Sequence, residues 1–142
     1  MSKSRRNKEE KTLVLTKKVF TEDAFILALR TIKWLKIPTD SDFDIAIRAK
    51  MKTLIRELKP HEDDFNEIRL ELAKEYGELN TKTQNYDFVD PEKKAMFDSK
   101  INELKPQEFS IKHTPFKLDQ ETENQFAIAE LVALEDCGIL KY

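Results

Sequence analysis

Chemistry in this chain could rest only on two histidines, one cysteine and a few acidic clusters. The run His61-Glu62-Asp63-Asp64 has the composition of a metal site. A helix brings only residues three or four apart onto one face, so His61 and Asp64 alone would converge, and two ligands do not close a site. Asp63 and Asp64 read instead as charges at the positive start of a helix. His113 lies in an alternating segment beside aromatics, with no sequence neighbour to orient it as a general base. It reads as a half-exposed strand residue. Glu71 and Glu75 share a helix face in the manner of a carboxylate dyad, but Arg69 and Lys74 beside them make a solvated surface the simpler reading. Cys137 has no second cysteine to pair with and reads as a small buried hydrophobe near a helix end. No catalytic, cofactor-binding or metal-ligating residue is therefore assigned.

The glycine content argues the same way. Gly77 and Gly138 are the only glycines among 142 residues. Phosphate-cradling loops and dinucleotide fingerprints need clustered glycines for close backbone approach, which disfavours nucleotide chemistry of the common kinds.

Charge is abundant but nearly balanced, at −2 overall, and its distribution is uneven. Residues 1–18 carry seven Lys or Arg against two acids, whereas residues 119–142 carry six acids against one base. Lys3, Arg5, Arg6, Lys8 and Lys11 form a basic arm over residues 1–11 and are the candidate partner contacts. Such an arm can neutralise a phosphate backbone, dock on an acidic protein surface, or keep the chain soluble. All three readings stand. The twin Arg5-Arg6 has no apolar run behind it, and no stretch of membrane-spanning length occurs. The expectation is a cytoplasmic protein that makes no membrane contact.

The elements that must position these residues follow from apolar spacing. Leu13-Val14-Leu15 suggests a short strand. Thr21 reads as an N-cap ahead of a helix carrying Phe25, Leu29 and Ile32, widened by Ile26, Leu27 and Trp34 and stopped at Pro38. After the capping cluster Thr39-Asp40-Ser41-Asp42, Ile47, Met51, Leu54, Ile55 and Leu58 form one helical face, and Phe65, Ile68, Leu72 and Tyr76 continue until Gly77. Pro60 either separates two antiparallel helices as a hairpin, the preferred reading, or kinks one long helix. Residues 78–90 read as an exposed polar loop. Asp90-Pro91-Glu92 opens a helix through Phe97, Ile101 and Leu104. Phe109, Ile111 and His113 alternate as a strand that could pair with the first one. A final helix spans about Thr122 to Asp136, ending at Gly138 with Ile139 as the apolar contact of a Schellman stop.

This order gives one compact, mostly α domain over residues 12–142, with a helical hairpin and one or two short strands. An α+β fold with a small two-stranded sheet is the alternative. From Leu54 to Leu140 the order resembles small helical proteins of tailed bacteriophages. It does so through Leu54-Ile55-x-x-Leu58, Ile68-x-x-x-Leu72-Ala73-x-x-Tyr76-Gly77-Glu78, Phe97-x-x-x-Ile101-x-x-Leu104, Phe109-Ser110-Ile111 and Leu131-x-x-Leu134-Glu135. The resemblance implies no catalytic residues. It implies a non-enzymatic accessory protein of the host cytoplasm that contacts other phage or host proteins, or itself, as a virion structural or assembly component. A small module that inhibits or redirects a host enzyme or nucleic-acid complex is the alternative. An enzyme assembled from distant residues is the third.

Overall fold

The computed structural model describes residues 11–35 and 42–141, the side chains of residues 42–45 excepted. The cations Lys3, Arg5, Arg6 and Lys8, and the predicted helix stop at Pro38, lie outside the described residues.

Strand β1 (Thr12–Thr16) enters a short 3-10 turn (Lys17–Thr21) and then helix α1 (Asp23–Lys33). Helix α2 (Asp42–Tyr76) follows, then strands β2 (Glu78–Asn80) and β3 (Asn85–Asp87), and helix α3 (Pro91–Leu104). Strand β4 (Glu108–Lys112) and helices α4 (Gln120–Glu123) and α5 (Ile128–Asp136) complete the order. The fold is mostly α with short strands, and β1 pairs antiparallel with β4 in the register Thr12 to Lys112 through Thr16 to Glu108. The two strands anticipated at opposite ends of the chain do meet. Among the described residues no helix is long and apolar enough to cross a membrane.

The hairpin expected at Pro60 is not formed: α2 runs through that proline as one helix. The apolar phase explains why. Ile47, Met51, Leu54, Leu58 and Phe65 are buried, His61, Ile68 and Leu72 are partly covered, and their alternating four- and three-residue spacing never resets at Pro60. Proline within a helix costs about 3 kcal/mol, because it removes one hydrogen bond and crowds the preceding turn. Burying one large apolar side chain returns about 1.5–3 kcal/mol. Leu58 and Phe65, on either side of Pro60, together offset the proline.

Three further boundaries differ from expectation. Thr21 caps no helix; its hydroxyl donates to the Lys18 carbonyl and closes the 3-10 turn, so Glu22 precedes α1. Residues 78–90 are not an open loop but largely a β-hairpin. There the Asn80 side-chain oxygen accepts the Lys82 and Thr83 amides, and Gln84 takes φ 61°. The final helix is two pieces, α4 and α5, because the chain turns at Asn124 to Ala127 to bury Phe126.

Other local signals are realised as expected. Asp90 caps α3 by accepting the Glu92 amide at 2.9 Å, with Pro91 in the first turn. Gly138 has φ +90°, with its amide donating to Glu135 and that of Ile139 to Leu134, which makes a Schellman stop. Gly77 serves a different need: a Cβ there would lie 2.8 Å from the Ala73 carbonyl and 3.1 Å from that of Asp87. The Ala73 carbonyl of α2, with the Asp87 carbonyl of the hairpin close behind it, leaves no room for a side chain at that point.

The core joins these pieces through aromatics. Phe20 lies 6.3 Å from Phe25, 5.8 Å from Phe65 and 5.3 Å from Phe109 between ring centroids. If α2 is continuous, Pro60→Ala restores a hydrogen bond and relieves the crowding. It should stabilise the protein by about 1–3 kcal/mol in urea melts. A loss of stability would mark Pro60 as a turn residue.

Candidate functional site

The residues singled out for chemistry are dispersed. His61 occupies a core-facing position of α2 and stacks on Phe109 at 4.5 Å, while Asp64 is exposed. Glu71 and Glu75 are both exposed on α2. Among the described residues no group of three or more His, Cys, Asp or Glu could hold a metal ion. Cys137 is half-buried at the end of α5, and burial, chiefly, pushes its thiol up to about 11. Lys11 is exposed, and its carbonyl accepts the His113 amide at the start of the β1–β4 ladder.

His113 is not half-exposed. It follows β4, is 7% exposed, and its Nε2 lies 2.8 Å from the Ile139 carbonyl oxygen. A carbonyl accepts only, so Nε2 carries the proton. Burial holds the imidazole pKa below its ordinary 6.5, the bond to Ile139 pulls it upward, and Lys50 pushes it down. The residue pins the C-terminal turn to the end of the sheet.

The feature that sequence reasoning missed is a groove between α1 and α2 with a volume of about 1030 Å³. Ile32, Leu35, Met51 and Ile55 supply apolar surface. Lys33 of α1 and Arg48, Lys52, Arg56 and Lys59 of α2 surround it, against the single carboxylate of Asp63. Lys59 pairs with that carboxylate at 3.3 Å, and Arg56 donates to the Thr53 hydroxyl at 3.3 Å. The signal was available in the sequence: Arg48, Lys52, Arg56 and Lys59 recur at intervals of four, four and three, flanking the buried register. Local excess of positive charge over an apolar floor favours an anionic ligand with an apolar face. A second cleft of about 570 Å³, between α1, α2 and α3, mixes Asp23, Asp98, Arg69 and Lys105 and selects neither sign. The chain matches no known protein family, no curated protein and no solved structure.

Because His113 is buried with a lowered pKa, the unfolded chain takes up that proton first as pH falls. Its contribution is complete above the unfolded value of about 6.5 and declines below it, toward the folded value. Thermal melts between about pH 7.5 and pH 5.5 should show a falling Tm. His113→Gln keeps an N–H donor for Ile139 and should flatten that decline.

Proposed function

We propose that this protein is a non-enzymatic accessory protein that acts by protein–protein contact, with the groove between α1 and α2 receiving an acidic, amphipathic helix of its partner. The carrying observation is the conjunction of apolar floor and cationic surround in one groove. From Arg48 to Asp63 the α2 flank extends roughly 22 Å at 1.5 Å per residue, the length of about four helical turns. A helix laid there would seat apolar side chains on Leu35, Met51 and Ile55 and direct carboxylates to Lys33, Lys52 and Arg56. That is helix-in-groove recognition with charge selecting the partner.

The narrower proposal, a virion structural or assembly component, takes its support from the phage-like order of residues 54–140. Mass spectrometry of purified particles tests it, and consistent absence counts against it. The cationic surround also supports a second reading, a modulator of a host enzyme or nucleic-acid complex. Under that reading duplex DNA should displace a bound peptide, with affinity falling steeply as salt rises.

The full chain should bind a fluorescent helical peptide of about 15 residues with Glu on one face and Leu on the other. A version with Lys in place of Glu should not compete. Lys52→Glu combined with Arg56→Glu should weaken binding at least about tenfold, roughly 1.4 kcal/mol, with the circular dichroism unchanged. Undiminished binding by that double variant, or equal affinity for the basic peptide, would refute the groove as the site.

A further inference from the structure

The two-stranded sheet has unlike edges. In the β1–β4 ladder the His113 amide donates to Lys11 and the Lys17 amide to Gln107, so the odd residues of β1 face β4. On the outer side of β4 the Lys112 amide donates to the Glu57 carboxylate at 2.8 Å, which closes that edge against α2. On β1 the backbone groups of Thr12, Val14 and Thr16 point the other way, where no strand pairs among the described residues.

Edge strands are commonly guarded by charge, proline or a bulge, because an open ladder recruits other strands. Thr12-Leu13-Val14-Leu15-Thr16 has no charge, proline or glycine. Val14, at its centre, is 52% exposed. The segment also reads the same in both directions. Antiparallel pairing with itself about Val14 sets Thr12 opposite Thr16, Leu13 opposite Leu15, and Val14 opposite Val14, so every cross-strand pair is matched in kind and size.

We propose that β1 is a self-association surface, on which a second copy of this chain adds its own β1 antiparallel across a twofold axis through Val14. The product is a four-stranded sheet in the order β4–β1–β1–β4. The contact is isologous and closed, so it yields a dimer and not a filament. Leu13 and Leu15 extend the apolar face across the axis, while Thr12, Val14 and Thr16 line the opposite face. The same register places Lys11 opposite Lys17 of the second copy on both sides of the axis. Like charges opposed across strands are unfavourable, so salt should tighten the dimer by screening them. That is the opposite of its expected effect on an acidic peptide in the groove, and the two contacts are independent.

Sedimentation equilibrium of the full chain over a wide concentration range tests the proposal. A monomer–dimer equilibrium whose Kd falls as salt rises is expected. Val14→Lys should raise Kd at least roughly tenfold, and Lys11→Glu, which turns the repulsive pairs into attractive ones, should lower it. Folding of each variant is checked by circular dichroism. Val14→Cys places two thiols in a hydrogen-bonded antiparallel pair, whose Cα separation of about 5.5 Å suits a disulfide. Under mild oxidation that variant should form a covalent dimer. A chain that stays monomeric throughout would overturn the proposal. So would a dimer with unchanged Kd in Val14→Lys, or one that does not cross-link through Val14→Cys.

Discussion

The burial of one phenylalanine ring ties the N-terminal turn to α1, α2 and the sheet. Phe20 comes from the 3-10 turn and packs near Phe25 of α1, Phe65 of α2 and Phe109 of β4, with His61 also stacked on Phe109. Aromatic pairs of this kind contribute about 0.5–1.5 kcal/mol each beyond the area they bury. Their directional preference matters as much, because it sets how α2 is rotated about its own axis. With Ile47, Met51 and Leu58 turned inward, the residues that follow them, Arg48, Lys52 and Lys59, are turned toward solvent. All three line the groove. The charged flank is thus a geometric by-product of where the buried side chains of α2 must go.

Legibility in the sequence followed the range of the interaction concerned. Features decided within four or five residues were readable: the Asp90 cap, the Pro91 start, the glycine stop at Gly138, and the alternation of Phe109 and Ile111. Thr21 failed because it stands where the 3-10 turn ends and α1 is about to begin, and the end of the turn took the hydroxyl. The hairpin at residues 78–87 was hidden by its short, polar strands, which carry little alternation; Leu79 and Tyr86 pair, but Leu79 remains 52% exposed. His113 looked half-exposed because the carbonyl that its ring meets, that of Ile139, is twenty-six residues away. Pro60 is the instructive failure. A local rule said break, whereas the unbroken apolar phase from Ile47 to Leu72 said continue, and packing outweighed the local penalty.

The same reasoning explains why the groove and the open strand edge were invisible. A groove needs two helices at a known separation, and nothing local in Lys33 reveals that it stands beside Lys52. An edge needs knowledge of which side of a strand is already taken. Once β4 claims the odd residues of β1, the even ones are released. The basic character of the N-terminus points to Lys3 through Lys11, yet the cations that line the groove lie on α1 and α2.

The pairing of β1 with β4 also bears on how the molecule reaches its folded state. Thr12 and Lys112 stand a hundred positions apart, so their union needs a very large ring to close. Ring closure is not costly at equilibrium, since doubling its length adds only about 0.6 kcal/mol, but it is slow compared with forming helices and hairpins. The α2–hairpin–α3 unit can form from near neighbours, so β4 is expected to arrive beside β1 late. Until then both edges of an uncharged, strand-prone segment are unsatisfied. Refolding yield is accordingly a kinetic contest between intramolecular capture by β4 and collisions with other chains, and concentration during refolding decides it.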